Sequence, residues 1–176
     1  MSALMEAEFA VRQLHARYAD AVWRQDGAAF ADCFAAQAVW EIAGVSLRGR
    51  EAIGVGFAGF MGGIERTLMT FRTPIVSLGE AGGGEPPEVS ARTYVTEQTK
   101  YRDGTAAASI GVYHERFAAE DGALRFAWRH WQMAYYGPAD LSAPFHPGAD
   151  CGPPPGMPGD GEPTVGRAWW ATSRPS

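Results

Sequence analysis

The sequence is short of nearly everything that a metal centre, a nucleic-acid surface or a membrane anchor requires. Only two cysteines and four histidines occur in 176 residues. They form no CxxC and no HExxH spacing, so no metal site is expected. Lys and Arg number 15 against 20 Asp and Glu, a net charge of -5, and the arginines are scattered singly. Nucleic-acid binders carry a basic patch or stripe, so that class of partner is excluded. No apolar run approaches the roughly 18 residues of a membrane span. The opening "MSALMEAEFAVRQ" lacks a cationic stretch followed by an apolar one, and Cys33 and Cys151 lie far apart. The expectation is a cytoplasmic protein with two reduced thiols. There is also no GxGxxG after a strand, no phosphate loop and no GxSxG elbow, so no cofactor is expected.

What is present suits one domain with an appended segment. Hydrophobic residues make up 46% of the chain, enough for a proper core at this length. Residues 4–24 read as a helix, because Val11, Leu14, Tyr18, Ala21 and Val22 recur on one stripe. A short helix follows from Gly27, then a strand at 38–44 and a Gly-loosened helix at 49–63 with Ile53, Phe57 and Phe60 on one face. Four strand-like runs come next, at 67–78, 88–101, 105–117 and 124–136, separated by turn chemistry such as "RDG" and "EDG". This order predicts an α+β fold, with a strongly curved antiparallel sheet wrapped on three helices. The domain spans 1–137. Nine of the twelve prolines lie beyond it, so 138–176 should run extended. Phe145, Trp169 and Trp170 give that segment apolar anchors for the domain or a neighbouring subunit, though a disordered tail is the alternative.

Two acids and an indole crowd the end of the first helix. Asp20 projects opposite the apolar stripe beside Arg17 and Arg24, which makes it a solvated ion-pair partner. Asp26 precedes the second helix, where its carboxylate can accept from free amides. Cys33, beside Phe34, reads as a small core hydrophobe. Trp23 lies between the two acids.

The order of elements, together with "VRQLHARYADAVWRQDGAAFADCFAAQAVWEIAG" and "RGREAI", resembles the SnoaL-like group of the nuclear-transport-factor-2-like superfamily. The likeness covers about residues 5–138. It implies a cone-shaped α+β barrel with an apolar cavity, and relatives such as scytalone dehydratase, lindane dehydrochlorinase and polyketide cyclases. The dehydratase and the dehydrochlorinase pair a carboxylate near the end of helix one with a histidine on the strand after helix three. Residue by residue, those positions fall on Trp23 and Thr70. Removing a proton from carbon needs a base of suitable pKa within reach, and neither residue supplies one.

The same resemblance places other polar groups in the cone. Tyr113 is a candidate acid or oxyanion donor, with an aromatic wall residue as the alternative. Arg129 matches a cavity arginine; it would orient a substrate oxygen or pair with Glu41 or Glu97. Trp131, Met133 and Tyr135 are expected on the face of Arg129, and Tyr94 and Thr96 on the facing strand. Trp23, Thr70, Tyr94, Thr96, Trp131 and Tyr135 are thus the expected substrate contacts. His114 and His130 should point away from the cone. The expected partner is a small hydrophobic molecule, with self-association into a homodimer or homotrimer. Two functions stand: a lyase-, isomerase- or cyclase-type enzyme without the Asp–His dyad, or a non-catalytic binder.

Overall fold

The computed structural model describes residues 2–79 and 88–140. Helix α1 (Ala3–Arg24) is capped by Ser2, whose side chain accepts from the Met5 amide, and ends at Gln25 in the left-handed region (φ 55°). Helix α2 (Gly27–Asp32) starts on Asp26, which accepts from the Ala29 amide at 3.0 Å. Strand β1 (Phe34–Ile42) turns through Ala43 and Gly44, both with positive φ, into β2 (Val45–Arg48). That hairpin follows the preference of two-residue turns for positive φ, although alanine occupies the first place. Helix α3 (Arg50–Met61) comes next, followed by β3 (Ile64–Phe71), β4 (Ile75–Leu78), β5 (Val89–Tyr101), β6 (Ala106–Glu120) and β7 (Ala123–Gly137).

The expected single strand at 67–78 is two strands. Arg72–Pro74 interrupts it, and Pro74 has no amide to continue a ladder. The seven strands form one sheet in the order β2-β1-β7-β6-β5-β3, with β4 also paired to β5. All neighbours are antiparallel except β1 and β7, which run parallel. The layout is the α+β arrangement predicted, a curved sheet closing on three helices.

The core lies between the sheet's concave face and the helices. The α1 stripe buries Val11, Leu14, Tyr18, Ala21 and Val22 as the spacing predicts. Phe30 of α2 stacks on Phe57 of α3 with ring centroids 3.9 Å apart, an arrangement worth about 0.5–1.5 kcal/mol beyond area burial. Phe60 is only partly covered. Asp20 pairs with Arg24 on the exposed side of α1 at 2.8 Å. Cys33 is buried, and burial pushes its thiol up to about 11. No described helix is long and apolar enough to cross a membrane. Phe145, Trp169, Trp170 and the expected docking of the Pro-rich segment lie outside the described residues.

Two irregularities along β7 decide which side chains reach the concave face. Between Met133 and Tyr135 the register against β6 slips by one residue at Ala134: Gly111 pairs with Met133, but Ile110 pairs with Tyr135 and Ser109 with Tyr136. A second slip leaves Ala127 unmatched between Phe126 and Trp128. Each is a bulge, and each moves the following residues to the opposite face.

Candidate functional site

A chamber of about 200 Å³ opens between the helices and the concave face of the sheet. Its walls are mostly apolar: Val22 from α1, Phe57 from α3, Met69 from β3, and Trp131 and Met133 from β7. The more exposed Phe60 and Tyr136 mark its mouth, where the Tyr136 hydroxyl meets that of Tyr101 at 2.7 Å. Burial and this contact push Tyr101 up to about 12. Apolar walls with few polar groups are the usual composition of a small-molecule site.

One carboxyl enters this chamber, that of Glu97. Strand alternation places it there: on β5, Thr93, Val95, Glu97 and Thr99 share the inward face. Ser109, opposite it on β6, donates to Glu97 Oε2 at 3.3 Å. Burial raises its pKa, against the opposing pull of the Ser109 hydrogen bond and the Arg129 charge. A desolvated carboxylate is a stronger base than an exposed one.

Two tyrosines face Glu97 across the chamber, Tyr18 and Tyr113. Burial pushes Tyr18 up to about 12, and the Arg129 charge opposes it. Burial also raises Tyr113 well above its ordinary value, reinforced by Tyr18. The two hydroxyls also interact with each other.

Behind the tyrosines lies a sealed ion pair. Arg129 is fully buried, its Nε donating to Glu115 Oε1 at 2.9 Å. The guanidinium carbon stands 3.6 Å from the Tyr113 ring centroid, 4.0 Å from Tyr18 and 4.3 Å from Phe126. Cations over aromatic faces gain about 2 kcal/mol or more when desolvated. Glu115 also accepts from Thr93 Oγ1 at 3.1 Å and from His15 Nε2 at 2.8 Å. Burial alone would raise the Glu115 pKa, but His15, Arg129 and Thr93 together hold it below the usual carboxylate range.

Several sequence expectations are corrected here. Trp23 does not enter the chamber: it is 45% exposed, lying one residue past the inward-facing Val22, with Arg66 over its ring. Thr70 is likewise one residue from the inward-facing Met69 and lies on the other side of β3. Tyr94 and Thr96 take the outer parity of β5; Tyr94 is 42% exposed and Thr96 partly covered. Tyr135 is turned to the outer face by the bulge at Ala134, its hydroxyl donating to Pro138 O, and Tyr136 takes the inward place. Arg129 pairs with neither Glu41 nor Glu97 but with Glu115; Glu41 bonds His130 on the outer face. Tyr113 and Trp131 do line the chamber, and His114 and His130 lie on the outer face as expected. Glu97 and Tyr18 were not singled out as site residues. The parity of β5 signalled the first, and a hydroxyl inside an otherwise apolar stripe signalled the second.

Comparison with known proteins gives a consistent picture. No curated protein sequence matches. Among solved structures, a scytalone dehydratase-like protein from Novosphingobium aromaticivorans superposes with a TM-score of 0.67 at 15% identity, covering 88% of this chain and 97% of that one. A hexachlorocyclohexane dehydrochlorinase of type 2 gives 0.64 at 18% identity, covering 87% and 97%. The protein Aln2 from a Streptomyces species gives 0.59 at 23% identity, covering 73% and 91%. At such identities these likenesses establish the fold, a nuclear-transport-factor-2-like cone. The SnoaL-like domain model matches residues 3–130, nearly the whole described chain, and the protein therefore belongs to the SnoaL-like family.

Proposed function

We propose that the protein is a cofactor-independent enzyme that moves a proton on a small, mostly hydrophobic cyclic molecule bearing a carbonyl oxygen, in a lyase-, isomerase- or cyclase-type reaction. The carrying observation is a single desolvated carboxyl, Glu97, in an apolar chamber that also holds the Tyr18–Tyr113 pair. Glu97 takes the proton from the carbon next to the oxygen-bearing one, and the C–H electron pair moves toward that oxygen. Tyr18, itself held by Tyr113, donates a hydrogen bond to the developing oxyanion. Both tyrosines stay protonated because burial raises their pKa values. Arg129 does not touch the ligand; it stiffens the pair and places positive charge behind it. The intermediate then collapses by return of the proton from Glu97 to another carbon, or by loss of a leaving group.

A second reading is a binder that holds its ligand without turnover. Val22 and Met69 favour it. They are the chamber-lining residues next to Trp23 and Thr70, the positions where the family resemblance expects a carboxylate and a histidine, and neither can move a proton.

Deuterium exchange separates the two. A panel of cyclic ketones would be incubated in D2O and followed by NMR. The enzyme reading expects exchange at the acidic carbon that Glu97→Gln abolishes and Tyr18→Phe slows, with binding retained in both. Binding without exchange by the wild-type protein would establish the second reading.

A further inference from the structure

A second cavity lies on the far side of Met69, which lines both it and the chamber. One wall is the α1 stripe Arg12, His15, Ala16 and Ala19, and the other is Met69–Pro74, where β3 gives way to β4. The space is about 420 Å³ and open to solvent.

Its chemistry differs from that of the chamber. Arg12 and Arg72 enter from opposite walls, both exposed, and neither has an acidic partner among the described residues. No acid lines the groove. Thr70 and Thr73 also line the groove. His15, 3% exposed, gives its Nε2 to Glu115 and leaves Nδ1 buried without a hydrogen-bond partner. The rest of the lining is apolar: Ala16 is exposed, Ala19 and Phe71 are partly covered, and Met69 and Pro74 are buried.

We propose that this groove binds a small monocarboxylate with a flat apolar body, its carboxylate held between Arg12 and Arg72 and its body lying along Ala16, Ala19 and Phe71. Two guanidinium groups with no competing carboxylate suit a planar acid, for which arginine forks are shaped. The volume exceeds what a bare inorganic anion fills, and the apolar share of the walls gives a hydrocarbon body its place. The site is separate from the chamber and does not depend on the proposed reaction.

The test is an NMR titration with benzoate, using benzamide as the uncharged control of equal shape. Benzoate should shift the Ala16, Ala19 and Thr70 amides saturably and leave the Trp131 indole in the chamber unmoved; benzamide should move none of them. In the Arg12→Gln, Arg72→Gln double variant the benzoate affinity should fall at least about tenfold, the size of losing charge-assisted hydrogen bonds. Both arginines are exposed, so unchanged shifts elsewhere will verify the fold. The proposal is overturned if benzamide acts as benzoate does, if the shifts concentrate at Trp131, if the double variant binds equally well, or if no saturable shift appears at millimolar benzoate.

Discussion

Arg129 and Tyr113, on adjoining strands, are stacked with guanidinium carbon and ring centroid 3.6 Å apart, and both are sealed from solvent. The cation is anchored by Glu115 and capped by two tyrosines and Phe126. Replacing Arg129 by Met leaves Glu115 as a buried charge short of a partner and should cost about 3–5 kcal/mol, the usual penalty for breaking such a pair from one side. Pairing it with Glu115→Gln should recover part of that loss. Urea unfolding of both variants is the measurement.

Glu97 and Glu115 should respond to pH in opposite directions. The folded pKa of Glu115 lies below its unfolded value. Its contribution is therefore present above the unfolded value and lost as pH falls through the folded one. The folded pKa of Glu97 is raised, so its ionisation disfavours the folded state as pH rises past the unfolded carboxylate range. Glu97→Gln should stabilise the protein at pH 8 and make little difference at pH 3.5. Thermal melts at the two pH values decide the matter; equal shifts at both would contradict the assignment.

Gly111 is the point where β6 passes beneath the bulged stretch of β7. A Cβ there would stand 2.7 and 2.8 Å from two atoms of the Trp131 ring and would strike the carbonyl oxygen of Gln132. The contact with backbone cannot be relieved by a rotamer change. Gly111→Ala should cost about 1–3 kcal/mol, as overpacking does, and should shift the Trp131 fluorescence.

Cys33 is buried, donates to the Ala29 carbonyl and has its thiol pushed up to about 11. Native protein at pH 8 should leave it unmodified by an aromatic disulfide reagent, and denaturant should expose it. Reaction at the rate of a free thiol would show that this part of α2 opens readily.

The architecture was legible because its signals are local and repeated. The α1 stripe, the Asp26 cap and the alternating long strands each declare their element in fewer than twenty residues. Pro74 marks the break between β3 and β4, a signal that the strand-like run around it obscures. The site was harder. Assigning Trp23 and Thr70 to the cavity missed by one residue on each element, and on a helix or strand one residue changes the face. The residues that line the chamber beside them are Val22 and Met69. Glu115 as the partner of Arg129 was beyond sequence reading, because cross-strand pairing between β6 and β7 depends on two bulges that no local pattern announces. Glu41 and Glu97 were equally good candidates until the sheet closed.

The extra residue at Ala134 has a consequence for how this family can diversify. Because the bulge absorbs that one alanine, deleting it would leave Tyr135 opposite Ile110 and Tyr136 opposite Ser109, on the faces they hold now, whereas one residue inserted after it with the bulge kept would bring Tyr135 inward and turn Tyr136 outward. A change of length near the end of β7 is thus silent when the bulge absorbs it and alters the pocket lining when it does not, so simple alternation counted through Ala134 misassigns the tyrosines.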